Sequence, residues 1–274
     1  MLTEEQKEKI EEEKRSILDN IKTIRHRILV FSGKGGVGKT TVSVNLAYGL
    51  RARGYETGLL DADITGPNVP KMLGLGGDLR ARGNKIIPQT NDGVKVVSIG
   101  NFLQQDQPVI WRGPLRSKIL HQFLGDVEWG RLDYLIADLP PGTGDEIITL
   151  VQKMNSNLAI IVTTPQEVAL IDSARAINMA KAMDVPKIAV IENMSGLICP
   201  NCGGEINLFG AGGGRKQAER MNVSFLGRLP IDIEAREMAD KGRPVILANT
   251  DAQISIAMAD IITEMERIIN DQSG

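Results

Sequence analysis

Gly33-Lys34-Gly35-Gly36-Val37-Gly38-Lys39-Thr40 lies between two segments of opposite character. Ahead of it, Ile28-Leu29-Val30-Phe31 is a short continuous apolar run, as expected of a strand buried on both faces. Behind it, Val42, Leu46 and Leu50 recur at spacings of four, which predicts a helix from Thr41 to Arg53 ended by Gly54. Strand, glycine-rich turn and helix in that order meet the structural condition for reading G-x-x-x-x-G-K-[ST] as a phosphate-binding loop. Glycines let the chain curl so that successive N–H groups face inward, and the helix N-terminus adds its positive end. Lys39 offers a point charge to β- and γ-phosphates, and Thr40 offers a hydroxyl to Mg2+. The predicted nucleotide contacts are Gly33, Gly35, Gly36, Val37, Gly38, Lys39, Thr40 and Thr41.

The alternation of strand and helix continues outward from this motif. Thr57 to Leu60, Val94 to Ile99, Leu132 to Ala137, Leu158 to Thr163, Lys187 to Ile191 and, more weakly, Ser224 to Leu226 read as strands, with helical segments such as Glu167 to Met183 between them. That order predicts an α/β fold with a doubly wound, mostly parallel sheet and helices on both faces. Ligands then collect beyond the carboxyl ends of the strands. Asp138 follows the run Tyr134-Leu135-Ile136-Ala137, so its carboxylate belongs at a strand tip beside the loop. There it would help hold Mg2+, an ion that takes one or two carboxylates and keeps several waters. Asp61 and Asp63 close the second strand; either could orient an attacking water, and either is equally compatible with a cap or turn role.

A chain of 274 residues has room for one large α/β domain with a substantial core. Hydrophobic content of 42% and charged content of 24% are those of an ordinary globular protein. A net charge of -2 gives no sign of a nucleic-acid binder held by phosphate neutralisation. The N-terminus is a run of Glu and Lys rather than an apolar secretion signal, and runs such as Leu158 to Val162 are too short to span a bilayer. The last predicted helix, Ala252 to Ile269, sets Asp260, Glu264 and Glu266 against Arg267, a poor match to an anionic membrane surface. A soluble cytoplasmic protein engaging neither membrane nor nucleic acid is expected.

Residues 1 to 27 form a separate compositional unit, and residues 28 to 274 are taken as the phosphate-binding domain. In the first unit Thr3 and Gln6 fit a capping box, Ile10, Ile17, Ile21, Ile24 and Ile28 recur at helical spacing, and acidic residues precede basic ones. A helix laid on the domain surface and a partner-docking helix are both compatible with that pattern. Three stretches break the alternation: 64 to 93, 104 to 117 around Trp111-Arg112-Gly113-Pro114, and 195 to 216 with Phe209-Gly210-Ala211-Gly212-Gly213-Gly214. Loops of such length inside a domain are usually functional or mobile.

The chain's two cysteines fall in that third stretch, in Cys199-Pro200-Asn201-Cys202. The spacing is that of a metal knuckle, whose turn lets two thiolates face one ion. A tetrahedral Zn2+ or an iron–sulfur cluster needs four ligands, and the only histidines, His26 and His121, are distant in sequence. A symmetric dimer would bring two pairs together about its axis, a count that suits a [4Fe–4S] cluster and Zn2+ equally. A thioredoxin-like redox pair and an inert loop pair stay open on spacing alone.

Lys34, directly after the first glycine, makes the loop resemble the deviant Walker A of the MinD/Mrp group of P-loop NTPases. By residue type alone it is also compatible with a solvated loop lysine. The resemblance implies that Lys34 reaches across a nucleotide-sandwich homodimer to the partner's phosphates and that Asp63 is the hydrolytic aspartate. It implies further that Asp138-Leu139-Pro140-Pro141-Gly142-Thr143-Gly144-Asp145 is a nucleotide switch and that Asn193 contacts adenine; with no Asn-Lys-x-Asp motif present, ATP is favoured over GTP.

Taken in order, that loop, Asp61-Ala62-Asp63-Ile64-Thr65-Gly66-Pro67, Trp111-Arg112-Gly113-Pro114, the Asp138 run, Asn193-Met194-Ser195, the cysteine pair and the Phe209 glycine run are similar to the Mrp/ApbC iron–sulfur cluster carrier ATPases. Membership would imply ATP, Mg2+ and a labile [4Fe–4S] cluster shared by Cys199 and Cys202 of two subunits. The cluster would be delivered to apo iron–sulfur proteins in exchange with cluster scaffold proteins. Residues 1 to 27 contain no cysteine, so the additional N-terminal cluster of some relatives is not expected. The competing expectations are a metal-free partitioning or positioning ATPase of the same fold, a small-molecule kinase or ligase, and a zinc-bridged dimeric nucleotide-binding protein.

Overall fold

Residues 4–63, 66–102 and 113–271 are described by the computed structural model, and the strand and helix alternation runs through all three segments. Helix α1 (Glu4–Ile21) leads into β1 (Ile24–Phe31), α2 (Lys39–Ala52) and β2 (Thr57–Asp61). The short helix α3 (Val69–Met72) and the strands β3 (Arg80–Arg82), β4 (Lys85–Ile87) and β5 (Gln89–Asn91) precede β6 (Val94–Ser98) and a 3-10 turn, Ile99–Phe102. Then come α4 (Gly113–Gly125), β7 (Leu132–Asp138), α5 (Asp145–Met154), β8 (Leu158–Thr163), α6 (Glu167–Ala182) and β9 (Ile188–Glu192). The hairpin β10 (Leu197–Ile198) and β11 (Glu205–Ile206) is followed by α7 (Gly213–Arg220), β12 (Ser224–Arg228), α8 (Ile233–Asp240), α9 (Val245–Ala248) and α10 (Gln253–Asn270).

Eight strands form the central sheet in the order β12-β9-β8-β1-β7-β2-β6-β5. All neighbours are parallel except β5, which runs antiparallel to β6 at the edge. The chain winds outward from β1 to β2 and β6, returns to lay β7 between β1 and β2, and crosses to β8 on the other side, so the sheet is doubly wound. The tips of β1, β2 and β7 meet beside the phosphate loop: Asp61 is in register with Asp138, and Val30 with Asp138 on the other flank.

The continuity of the apolar runs has a direct cause. Ile28 and Val30 face one layer, with Leu46, Leu50, Ile261 and Met265 from α2 and α10. Leu29 and Phe31 face the other, with Phe123, Leu150, Ala176 and Ile177 from α4, α5 and α6. Every position of such a strand is in a core, so no polar residue alternates through it. Fully burying each of the larger side chains, Ala176 aside, contributes about 1.5–3 kcal/mol.

The boundary expected at residue 28 moves. β1 begins at Ile24, so Ile24 to Arg27 belong to the central sheet rather than to an extension. Arg25 and Arg27 interrupt the apolar run and hid this start; Arg27 turns its guanidinium onto the carbonyl oxygens of Ile21, Ile24 and Asn155 at the sheet's lower rim. Ile17 and Ile21 of α1 are buried, and Ser16 and Asn20 donate to the carbonyls of Gly125, Leu124 and Val127. The second half of α1 is thus docked on α4. Thr3, Trp111 and Arg112 lie outside the described residues, but Gly113 and Pro114 open α4 rather than continue the long loop expected over 104 to 117, at a position where proline's missing N–H costs nothing. Among the described residues no helix is long and apolar enough to cross a membrane.

Candidate functional site

α2 starts at Lys39, and its N-cap, Gly38, brings no side chain to the helix end, so the first-turn N–H groups are left for a ligand. Glycine at 38 is required twice over: φ is 80°, and a Cβ there would stand 2.2 Å from Asn193 Nδ2. The loop borders a cavity of about 370 Å³ lined by Gly35 to Thr41, Asp63, Asn68, Lys71 and Pro141. The segment after Asp138 folds over its rim, with Leu139 N donating to Val30 O (2.9 Å) and Gly142 N to Ser32 O (2.8 Å).

Beneath the loop, one ammonium faces three carboxylates. Lys39 Nζ is buried 2.8 Å from Asp138 Oδ1 and 3.9 Å from Asp63 Oδ2. It satisfies no hydrogen-bond geometry with any of them, so the contact is a charge pairing with its directed donors unspent. Those donors are open to an incoming acceptor such as a phosphate oxygen, which would give them partners. Asp138, fully buried, accepts from Thr40 Oγ1 at Oδ2 (2.7 Å) and from Ser43 Oγ at Oδ1 (2.7 Å). Octahedral Mg2+ with ligands at 2.0–2.1 Å separates neighbouring oxygens by about 2.9 Å. Thr40 Oγ1 and Asp138 Oδ2 therefore already have the spacing of two adjacent ligands, and the pair fits that ion.

Asp61 and Asp63, equal candidates by residue type and position alone, have different surroundings. Asp61 is fully buried and accepts from Ser98 Oγ (2.7 Å), Asp63 N (3.3 Å) and Val69 N (3.3 Å). Burial first, and the Asp138 charge second, push its carboxyl up to about 7 against the opposing Ser98 hydroxyl, Lys39 charge and Asp63 N–H. It is an anchor for the turn after β2. Asp63 reaches the cavity, with Oδ1 accepting from Gly66 N (3.2 Å), and is the carboxylate able to meet a water there.

Lys34 is half-buried beside the loop and makes no ion pair with another described residue. Asn193, expected near a purine, sits under the loop: its Nδ2 donates to Val37 O (2.8 Å), and it is absent from the cavity lining. Sequence reasoning missed Ser43 and Ser98. Ser43 carried a signal, a hydroxyl four residues after Lys39 on an otherwise apolar helix face; Ser98, at the end of β6, carried none.

Cys199 and Cys202 occupy the turn of the β10–β11 hairpin. Cys199 N donates to Gly204 O and Gly203 N to Cys199 O, each at 2.9 Å, closing a tight knuckle. Both thiols are free, Cys202 is exposed, and Cys199 is partly so. The N–H of Asn201, then that of Cys202, then the Cys202 thiol pull the Cys199 thiol below its ordinary value, favouring the thiolate that binds metal. Among the described residues no third His, Cys, Asp or Glu completes a metal-holding group. Ile198, Ile206, Leu208 and Phe209 stand exposed around the knuckle.

Known proteins similar to this chain include nucleotide-binding and iron–sulfur carrier proteins. A family profile of the ParA type, described as NUBPL iron-transfer P-loop NTPase, matches residues 23–266. The iron-sulfur cluster carrier protein of Pyrococcus horikoshii is 53% identical over 244 residues, covering 84% of this chain and 82% of its own length. The iron-sulfur cluster transfer protein NUBPL of Dictyostelium discoideum is 41% identical over 260 residues, 92% of this chain and 80% of that protein. Among solved structures, a nucleotide-binding protein in complex with ADP from Archaeoglobus fulgidus matches with a TM-score of 0.75 at 38% identity, covering 84% of this chain and 92% of its own. The Pyrococcus furiosus cell division ATPase MinD, with a TM-score of 0.66 at 22% identity over 89% of this chain and 99% of its own, shares the fold.

Proposed function

The chain belongs to the NUBPL iron-transfer P-loop NTPase family, and from that membership we propose that it is an ATP-switched carrier holding a [4Fe–4S] cluster between two copies of itself. The observation that carries this reading is an exposed two-thiol knuckle on the same chain as a complete phosphate loop. One chain brings two thiolates and a cubane takes four, so Cys199 and Cys202 of two copies complete the set. The exposed apolar side chains around the knuckle supply surface for the second copy or for a recipient apo-protein.

In the nucleotide site, the N–H groups of Gly35 to Thr41 bind the phosphates and Lys39 exchanges Asp138 for them. Thr40 and Asp138 would hold Mg2+, which neutralises phosphate charge when bound. Asp63 orients the water that attacks the terminal phosphate, and Lys34 reaches the partner's nucleotide. Asn193 lies beneath the loop with its Nδ2 spent on Val37, so the adenine contact that the resemblance implies would fall to its carbonyl oxygen. That pairing favours ATP. Hydrolysis releases the segments that begin at Asp63 and Asp138, and the two cysteine pairs loosen the cluster.

Anaerobic reconstitution of the wild type beside Cys202→Ala and Lys39→Ala tests the assignment. About four iron and four sulfide per two chains are expected in the wild type. The cysteine variant should lose the iron yet bind ATP, and Lys39→Ala should lose ATP. Zinc retained in place of iron, or iron held equally by Cys202→Ala, would overturn the carrier reading.

A further inference from the structure

Glu192 closes β9 and is fully buried, a costly place for a carboxylate unless its oxygens are satisfied. Its donors come from two distant points of the chain. Ser195 Oγ (2.5 Å) and Gly212 N (2.8 Å) donate to Oε1, and Gly214 N donates to Oε2. Helix α7 has no side-chain cap of its own; its N-cap is Gly212, and the Glu192 carboxylate occupies the helix end from a neighbouring strand. Approach is so close that a Cβ on Gly214 would lie 2.9 Å from Glu192 Cβ, which accounts for a glycine there. Ser195 and Gly212–Gly214 are the two ends of the segment whose middle is the cysteine knuckle.

The next residue is Asn193, whose side chain holds Val37 O and abuts Gly38 from below. Adjacent residues at one strand end therefore grip the floor of the phosphate loop and both ends of the thiol-bearing segment. Asn193 N is fixed to Thr163 O (2.8 Å) and Ser195 N to Leu229 O (2.9 Å), so the short span between the two grips is itself pinned to the sheet.

We propose that Glu192 is the positioning residue that couples nucleotide occupancy to the cysteine knuckle: a shift of the Val37–Gly38 floor passes through Asn193 to the Glu192 carboxylate, and from there to Ser195 and the start of α7. The proposal rests on the carrier reading only in taking the phosphate loop and the thiols as its two sites; it needs no cluster. It accounts for the glycine at 214, which phosphate binding leaves unexplained.

The test is the alkylation rate of Cys199 and Cys202 by a maleimide in reduced, cluster-free protein, with and without a non-hydrolysable ATP analogue and Mg2+. It compares wild type, Glu192→Gln and Ser195→Ala, with analogue affinity measured in parallel. The wild-type rates should differ between the two states by about 5-fold or more, the lower range of ordinary coupling between sites. In Glu192→Gln the ratio should fall to about 1 while affinity stays within about 3-fold, because Asn193 still supports the loop. Ser195→Ala, which removes one of three donors, should give an intermediate ratio and serves alone if the glutamine variant does not fold. A merely structural role would change both rates together and keep their ratio, and that result overturns the proposal, as does a wild-type ratio of 1. Iron loading of the wild type is scored separately: refusal of iron with an intact alkylation ratio removes the carrier reading and leaves the coupling.

Discussion

Lys39 illustrates how much a single residue balances here. Its ammonium is paired with Asp138 and Asp63 and is the second-largest favourable influence on ionised Asp61. Lys39→Ala should therefore abolish nucleotide binding and also lower apo stability, by about 3–5 kcal/mol in denaturant titration near neutral pH, the range for breaking a buried pair. Asp61 makes a separate pH prediction. Its folded-state value is raised, to about 7 against 3.8, so the native protein keeps a proton that the unfolded chain has released between those values. The stability it contributes is fully present below 3.8 and is lost as pH rises through about 7. Asp61→Asn should flatten that decline in the unfolding free energy; an unchanged slope would place the titration elsewhere. Residue type and position nominate Asp61 and Asp63 equally and only the family resemblance singles out Asp63, because Ser98 and the Val69 N–H, which claim Asp61, arrive from later in the chain.

At the scale of elements, the strand–loop–helix unit from Ile24 to Ala52 was legible because each part obeys a local rule: an apolar run, curling glycines, a stripe at spacings of four. Its edges were not. Arg25 and Arg27 concealed the first half of β1, since they break its apolar run and leave Ile24 and Ile28 to continue the helical spacing of the isoleucines before them. The Asn193 support was hidden likewise, being a contact across 156 positions of sequence. Gly38→Ala tests this contact most sharply, since both the left-handed φ and the Asn193 amide oppose a methyl group. Nucleotide affinity measured by titration should fall by at least about 10-fold, the equivalent of about 1.4 kcal/mol. Asn193→Ala in the same background should recover part of the loss, as expected for two sites in contact.

For the whole molecule, the doubly wound sheet was legible from the repeat of apolar runs, and two fully formed cores explain why those runs lack alternation. What no single chain displays is the proposed site between two copies. Lys34→Ala, probed by sedimentation with Mg2+ and a non-hydrolysable ATP analogue, should keep monomer affinity within about 3-fold yet lose nucleotide-driven dimerisation. Dimerisation unaffected by this substitution would exclude a cross-subunit role for that lysine. The central claim, four thiolates assembled from two chains around one cluster, is read most directly by native mass spectrometry of anaerobically reconstituted protein. A species of two chains plus one Fe4S4 unit, absent in Cys199→Ala, is predicted. A monomer carrying the cluster, or a dimer that forms without iron or sulfide after reconstitution, would contradict it.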